Sequence, residues 1–286
     1  MIAVTGATGH LGRLTLDTLL RRGAPAQTLV ALVRSPEKAA DLAAQGVQVR
    51  RADYTQQETW PPALDGVSRL LLVSSNDLND RPGQHRRVIE AAREAGVALL
   101  AYTSLLNAGT AQMGLAADHR ATEDILRASG VPFTLLRNGW YTENYTGSLA
   151  QTLAQGVLLG AAGDGQVTPA TRADYAEAAA AVLTGEGHGG ATYELGGDEA
   201  LTLSQIAAEF SRQGGRPVAY QNLPVTEFAQ TLNSFGLPAP LAEMLADSDA
   251  GLARGELQTD SGDLRRLIGR PTTPLAAAVA DALRPA

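Results

Sequence analysis

The sequence predicts an α/β protein: a doubly wound parallel sheet with a smaller α/β lobe formed mainly by the carboxyl-terminal part. Three observations support this prediction. Short apolar runs alternate with helix-like stretches through the first half of the chain, as in a parallel sheet covered by helices. A glycine-rich turn separates the first run from the first helix, and the alternation stops beyond Gly139.

The predicted strands of the sheet follow one another at short intervals, which favours right-handed crossovers with helices on both faces. They are Ile2 to Val4, Leu29 to Val33, Val47 to Arg51, Arg69 to Val73, Leu99 to Thr103, Phe133 to Leu136 and, later, Thr192 to Leu195. The predicted helices between them are Leu11 to Leu20, a helix starting near Pro36, Gln84 to Ala95, Arg120 to Ser129 and Asp174 to Leu183. Residues 1–137 with about 171–197 are therefore assigned to a nucleotide-binding domain.

The remainder of the chain, about 138–170 and 198–286, is assigned to a substrate-binding lobe. Its predicted elements are helices at Ser148 to Gly156, Leu203 to Arg212, Val225 to Phe235 and Pro240 to Ala246, with a strand at Val218 to Gln221. Gly160 to Gly165 is a predicted loop because it contains three glycines in six residues.

Composition restricts the classes of function. The net charge of -7 has no basic stripe, so neither nucleic acid nor an anionic membrane surface is an expected partner. The chain has no cysteine, which excludes disulfides, thiolate catalysis and iron–sulfur clusters. No signal-like or membrane-spanning apolar run is seen, and a cytoplasmic protein that acts on small molecules is expected.

The stretch GATGHLG, residues 6–12, follows the first predicted strand and opens the first helix. This is the context that a dinucleotide-binding turn requires. Gly6 permits the tight turn, Gly9 lets a pyrophosphate approach the backbone, and Gly12 lets the helix pack on the sheet. The helix N-terminus offers N–H groups and a positive dipole end to phosphates. The sequence therefore predicts a Rossmann domain.

The end of the second strand predicts which nicotinamide cofactor binds. An acidic residue there binds the ribose hydroxyls of NAD, whereas an arginine accepts the 2′-phosphate of NADP. Here the strand ends in Val33-Arg34-Ser35, with Lys38 one turn later. Arg34 and Lys38 are thus predicted to hold the phosphate, and NADPH is preferred.

Polar residues end the other predicted strands. Asp53 is placed where such folds bracket the adenine, and Ser74, Ser75, Asn76 and Thr103 follow the fourth and fifth strands. Ligands bind at the carboxyl ends of strands in open α/β sheets, so these side chains are expected to face the cofactor. Turn chemistry alone is the alternative explanation for serine and asparagine.

Catalysis cannot use the Tyr-x-x-x-Lys pair of many reductases, because Lys38 is the only lysine and Arg34 precedes it by four residues. Metal sites are not expected either: His10, His85, His119 and His188 lack helical ligand spacing and are interpreted as loop or surface histidines. A hydride transfer that needs little acid catalysis fits better, and quinones are such acceptors.

The segment 137–145 is the predicted acceptor site. It follows the sixth strand and carries Trp140, Tyr141 and Tyr145 in a chain with only 5% aromatic residues. Aromatic faces suit a flat ring, and Asn144 can hydrogen-bond a quinone oxygen. Domain-interface packing is the alternative role for Trp140 and one of the tyrosines. Asn144 and Tyr141 are the predicted catalytic residues.

The chain resembles the NmrA-like family of atypical short-chain dehydrogenases, and within it the bacterial flavin-free NAD(P)H:quinone oxidoreductases. The segments that carry the resemblance are GATGHLG, ALVRSPEKA, VRRADY, AYTSLL, TLLRNGWYTENY, GAAGDG, ATRADYAEAA and MLADSD. The resemblance implies a Rossmann domain that binds NADPH, a smaller second domain, and a quinone site in the cleft. It also implies that the Pro169 loop closes over the nicotinamide. His10 and Pro169 depart from the family pattern.

Together, motif and resemblance predict one set of ligand-binding residues. The predicted cofactor-binding residues are Gly6, Ala7, Thr8, Gly9, His10, Leu11, Gly12, Arg34, Lys38, Asp53, Ser74, Ser75, Asn76, Thr103, Asn138, Gly139, Trp140, Tyr141, Thr142, Glu143 and Pro169. The predicted activity is two-electron reduction of quinones by NADPH without flavin or metal. Two alternatives stay open: a non-catalytic NADP(H) sensor, and a reductase of another flat electrophile such as an azo or nitroaromatic compound. The sequence does not indicate an oligomeric state.

Overall fold

The computed structural model describes residues 1–77 and 79–284. The chain divides into two compact units. The first contains Met1–Leu105, Asp118–Arg137 and Arg172–Tyr193, and the second contains Leu106–Ala117, Asn138–Thr171 and the chain from Glu194 onward. Residues 106–117, which the sequence assigned to the first domain, group with the second unit. The assignment of the two regions to cofactor and substrate remains a prediction.

Strands and helices alternate through most of the chain. The strands are β1 (Ile2–Thr5), β2 (Leu29–Val33), β3 (Gln48–Arg51), β4 (Arg69–Leu72), β5 (Leu99–Leu105), β6 (Phe133–Asn138), β7 (Val157–Gly160), β8 (Gln166–Val167), β9 (Thr192–Leu195), β10 (Leu201–Thr202) and β11 (Ala219–Asn222). The helices are α1 (His10–Arg21), α2 (Ala40–Ala44), α3 (Trp60–Ala63), α4 (Arg81–Glu94), α5 (Gly114–Ser129), α6 (Glu143–Thr146), α7 (Leu149–Gln155), α8 (Arg172–Thr184), α9 (Leu203–Gly214), α10 (Val225–Ser234), α11 (Ala239–Ala253), α12 (Asp263–Ile268) and α13 (Leu275–Ala282).

The main sheet has seven strands in the order β3-β2-β1-β4-β5-β6-β9. Ile2 of the central β1 aligns with Leu29 on one side and Arg69 on the other, and both pairings are parallel. The order of the first six strands is that of the doubly wound nucleotide-binding fold, with its switch point beside β1. The predicted fold class is therefore confirmed.

Helices cover both faces of this sheet, which explains why its inner strands are largely apolar, whereas the edge strand β3 contains Gln48, Arg50 and Arg51. All five residues of β2 are buried, as expected for a strand with no solvent-facing side. Trp60 and Tyr102 are the largest side chains of a buried cluster in the first unit. Among the helices of the first unit, α8 packs along α1.

The second unit contains two small sheets. β10 pairs with β8 in the antiparallel direction, and β11 pairs with β7 in the parallel direction. Helix α9 begins with a capping box, in which Thr202 Oγ1 accepts from the N–H of Gln205 and the Gln205 side chain accepts from the N–H of Thr202. The predicted strand at Val218 to Gln221 is confirmed with a shift of one residue, whereas β7, β8 and β10 were missed.

Within residues 1–77 and 79–284, no helix combines the length and apolarity needed to cross a bilayer. The cytoplasmic location remains a prediction.

Candidate functional site

The glycine turn between β1 and α1 has the geometry that its sequence predicts. Gly6 has φ +58, which is left-handed backbone that glycine adopts without steric cost. Its carbonyl oxygen accepts from the N–H of Gly9 at 2.8 Å. A Cβ on Gly12 would lie 2.5 Å from that same oxygen, so only glycine lets α1 begin so close to the turn.

The N-terminus of α1 is open to a ligand. Thr8, Gly9 and His10 are exposed, while Ala7 and Leu11 are buried beneath them. Gly9 has no side chain to cap the helix, and the first turn contains no acidic residue. Within the described part of the chain, the backbone N–H groups of residues 10–12 have no hydrogen-bond partner. These free donors and the helix dipole form an anion-binding surface.

Two positive side chains lie past the end of β2, the strand next to β1. The carbonyl oxygen of Leu32 accepts from the N–H of Ala7 at 3.4 Å, which joins the end of β2 to the glycine turn. Arg34 and Lys38 follow and are exposed. Neither forms an ion pair with any residue that the structure describes. Their charge is therefore available to an anionic ligand.

The segment after β4, Ser74 to Asn76, is held by side chains of neighbouring elements. Thr103 Oγ1 accepts from the N–H of Ser74 at 2.8 Å, and Nε2 of His85 accepts from the N–H of Ser75 at 2.9 Å. Ser75 and Thr103 are buried and Asn76 is exposed. Thr103 thus positions this segment, and the Asn76 side chain faces solvent.

Two of the four histidines contradict the sequence interpretation. His85 and His119 were interpreted as loop or surface residues, but they are 0% and 5% exposed. Nδ1 of His119 lies 2.8 Å from the Tyr102 hydroxyl. Burial, and to a smaller extent the positive charge of Arg81, lowers the pKa of each imidazole from 6.5 to about 3. A signal for the burial of His85 was present: it lies three, four and seven residues before Val88, Ile89 and Ala92, on one helix face.

Asp53 is buried and takes part in a local turn. Its Oδ1 accepts from the N–H of Thr55 at 2.9 Å and from the Thr55 hydroxyl at 2.8 Å. The neighbouring Tyr54 donates its hydroxyl to the carbonyl oxygen of Val73 at 2.6 Å, at the end of β4. These contacts place Asp53 in a local turn, and its role beside an adenine remains a prediction.

In the second unit, the predicted acceptor segment runs from Asn138, at the end of β6, into the short helix α6. Two backbone hydrogen bonds fix the first part of this segment. The N–H of Thr142 donates to the carbonyl oxygen of Ala170 at 2.9 Å, and the N–H of Ala170 donates to the carbonyl oxygen of Trp140 at 3.2 Å. Pro169 is buried next to this ladder. The side-chain oxygen of Asn138 is buried and has no hydrogen-bond partner among the described residues.

The aromatic residues of this segment have different environments. Trp140, Tyr141 and Glu143 are half-buried, Gly139 and Thr142 are buried, and Asn144 is exposed. Tyr145 is 7% exposed, and its hydroxyl has no partner among the described residues. Burial and then the charge of Asp249 raise the pKa of Tyr145 well above its ordinary value. Tyr145 is therefore a core side chain here, consistent with the packing alternative.

Asp249 on α11 was missed by the sequence analysis. Its Oδ2 accepts from the N–H of Ala161 at 2.7 Å, and burial raises its pKa from 3.8 to about 6. No motif marks it, since its burial depends on the packing of α11 in the second unit. In the described ranges 1–77 and 79–284, no group of three His, Asp or Glu side chains is arranged to hold a metal ion.

The family model described as NAD(P)H-binding matches residues 6–186. The chain belongs to the NAD(P)H-binding family. This range begins at the first glycine of the turn and includes most of the seven-stranded sheet. In sequence, the chain is 54% identical over 279 residues to quinone oxidoreductase 2 of Escherichia coli K12, covering 98% of this chain and 97% of that protein.

Solved structures of family relatives agree with this membership. The NADPH complex of the E. coli NADPH-dependent quinone oxidoreductase QOR2 superposes with a TM-score of 0.96 at 53% identity, covering 99% of this chain and 100% of that one. The NADP(H) complex of Citrobacter sp. triphenylmethane reductase gives 0.94 at 40% identity, with the same coverages. The resemblance predicted from the sequence is confirmed.

The residues present fit a bound NADPH. The glycine turn leaves space above the backbone at Gly9, and α1 supplies unpaired N–H donors for a pyrophosphate. In the first unit, Arg34 and Lys38 supply positive charge that no described residue pairs. The second unit, taken by itself, offers the unpartnered Asn138 oxygen as an acceptor for an N–H donor.

Proposed function

We propose that this protein reduces quinones to hydroquinones by two electrons, with NADPH as the hydride donor and without a flavin. The preference for NADPH over NADH is inferred from the unpaired Arg34 beside the open N-terminus of α1. A carboxylate at that position would repel a 2′-phosphate, whereas a guanidinium binds it with two charge-assisted hydrogen bonds. The 54% identity to a quinone oxidoreductase supports the acceptor class.

The first unit binds the anionic part of the cofactor in this proposal. The N–H groups of residues 10–12 bind the pyrophosphate, and Arg34 and Lys38 bind the 2′-phosphate. Asn76, exposed at the end of a fixed segment, makes a further polar contact. In the second unit, Asn138 accepts from a ligand N–H through its unpartnered oxygen. The roles of the other predicted cofactor-binding residues remain predictions.

NADPH, when bound, supplies a hydride, which is two electrons and one proton. The overall reaction takes up one more proton to give hydroquinone and NADP⁺, and that proton comes from water or a polar neighbour. Asn144 is exposed and suited to donate its amide N–H to the quinone oxygen as negative charge develops there. Tyr141 offers a half-buried ring against which a flat acceptor can stack.

A second candidate substrate class is favoured by one observation. The Citrobacter relative at 40% identity is a triphenylmethane reductase, so this scaffold also supports reduction of a triphenylmethane dye. Both substrate classes need an aromatic acceptor near a hydride donor, and neither needs the absent Tyr-Lys pair. A non-catalytic sensor would bind NADPH without consuming it.

The test is a direct measurement of cofactor consumption. Purified, flavin-free protein is mixed with NADPH or NADH and a simple benzoquinone, and the loss of nicotinamide absorbance is followed. Rapid loss with a preference for NADPH is expected. Loss only with a triphenylmethane dye would transfer the assignment to the second substrate class. Binding of NADPH by calorimetry without turnover of either acceptor would favour the sensor.

A further inference from the structure

The segment Ser74 to Asp77 is an irregular loop, yet side chains of α4 and β5 bind its backbone. The carbonyl oxygen of Ser75 accepts from Nε of Arg81 at 2.7 Å, and the N–H of Ser75 donates to Nε2 of His85 at 2.9 Å. The N–H of Asp77 donates to the Ser75 hydroxyl at 3.1 Å. Both backbone groups of Ser75 are thus fixed by two residues of α4.

The hydrogen bonds around His85 determine which ring nitrogen carries the proton. Because Nε2 accepts from a backbone N–H, the proton of the neutral ring is on Nδ1. Nδ1 lies 2.9 Å from Thr122 Oγ1, whose own proton goes to the carbonyl oxygen of Asp118 at 3.0 Å. Arg81 also pairs with the Asp118 carboxylate at 2.9 Å. A continuous chain of donors therefore runs from Ser75 through His85 to α5.

This arrangement requires an uncharged imidazole. A second ring proton on Nε2 would point at the N–H of Ser75 and break the bond. Full burial and the nearby Arg81 charge keep the pKa of His85 at about 3, so the ring stays neutral under ordinary conditions. The other titratable groups facing it are Tyr54, Tyr102 and His119, and the Asp118 carboxylate pairs with the neighbouring Arg81.

We propose that His85, as the neutral Nδ1–H tautomer, is a positioning residue for NADPH: it fixes the backbone of Ser75 and so the exposed Asn76 that contacts the cofactor. This inference rests on the proposed function. His85 does not touch the cofactor, and its effect is transmitted through one backbone hydrogen bond. The expected signature is therefore weaker NADPH binding without a matching change in the acceptor step.

Two substitutions of the same residue separate this role from simple packing. The side-chain oxygen of glutamine reaches about as far as histidine Nε2, whereas that of asparagine reaches only as far as Nδ1. His85→Asn should weaken NADPH binding about tenfold, the loss expected for one buried hydrogen bond, with the KM for quinone unchanged. His85→Gln should restore binding to within about threefold. His119→Asn is the matched control, since His119 is equally buried but does not contact residues 74–77.

Binding of NADPH to each full-length variant is measured by nicotinamide fluorescence, and the turnover constants by absorbance. Equal weakening in His85→Asn and His85→Gln, or equal weakening in His119→Asn, would overturn the proposal. If His85→Asn does not fold, ¹⁵N spectra of the wild-type histidines decide: an Nε2–H tautomer for His85 would contradict it, and an Nδ1–H tautomer supports it. Failure of the wild-type protein to bind NADPH would instead contradict the proposed function.

Discussion

Asp249→Asn is expected to stabilise the protein above neutral pH, because the wild-type carboxylate is ionised in a largely desolvated, half-buried place. Burial raises the pKa of Asp249 from 3.8 to about 6, and the Ala161 N–H bond compensates only in part. A group whose folded pKa is higher than its unfolded pKa holds more protons in the folded state between those two values. The contribution of Asp249 to the unfolding free energy therefore falls as the pH rises from about 4 through about 6, and the loss is complete once the pH is well above 6.

The shift of about two pKa units corresponds to at most about 3 kcal/mol of unfolding free energy. Asparagine carries no charge and its side-chain oxygen can still accept from Ala161, although a neutral hydrogen bond is weaker than a charge-assisted one by about 1 kcal/mol. The net expectation is a gain of about 1 to 2 kcal/mol at pH 8 and no gain at pH 4.

The assay is urea unfolding of both proteins at pH 4, 5, 6, 7 and 8, followed by circular dichroism. The quantity to compare is the difference in unfolding free energy between variant and wild type, which cancels the titration of other groups. The same change at the exposed Asp124→Asn is the control for loss of one negative charge. A difference that stays constant from pH 4 to pH 8, or a variant less stable at pH 8, would refute the burial argument.

Three further outcomes are expected. Arg34→Glu should weaken NADPH binding about 100-fold and NADH binding only a few-fold, as measured by calorimetry. The same charge change at Arg22, at the far end of α1, should affect the binding of neither cofactor. Equal losses of affinity for both cofactors would show that Arg34 does not bind the 2′-phosphate. Asn144→Ala should lower kcat for quinone about tenfold with unchanged NADPH affinity, and steady-state rates that match the wild type would exclude it from the reaction. His119 should lower the unfolding free energy as the pH falls below 6.5, because the buried ring stays neutral to about pH 3 while the unfolded chain takes up the proton. His119→Asn should therefore reduce the dependence of the unfolding free energy on pH. An unchanged pH dependence in unfolding measurements would contradict this prediction.

The inner strands β1, β2, β4 and β5 were predictable because they are largely buried and therefore appear as nearly continuous apolar runs. Leu29 to Val33 was predicted with the bounds that the structure has, since all five side chains are buried. The glycine turn was equally predictable, because a positive φ at Gly6 and the close approach at Gly12 leave glycine as the only suitable residue.

The second unit was harder to predict for a physical reason. Its strands β8 and β10 have two residues each, too few to show any periodicity. The raised pKa of Asp249 and the burial of Tyr145 depend on contacts between residues about a hundred positions apart in the chain. The role of His85 likewise depends on Ser75 and Thr122, which only the fold brings to its two ring nitrogens.

The difference between satisfied and unsatisfied polar groups separates the scaffold from the ligand-binding surface in this protein. The backbone groups of Ser75 are fully bonded inside the protein, and so are the ring nitrogens of His85. By contrast, the first N–H groups of α1, the Arg34 guanidinium and the Asn138 side-chain oxygen have no partner among the described residues. A buried polar group such as the Asn138 oxygen costs stability when it is left unpaired, whereas the exposed Arg34 guanidinium can exchange its hydration for a ligand. NADPH carries phosphates that complement the two groups of the first unit, which is why the α1 N–H groups and Arg34, more than the glycine spacing alone, support our proposal of a nicotinamide dinucleotide phosphate as the ligand.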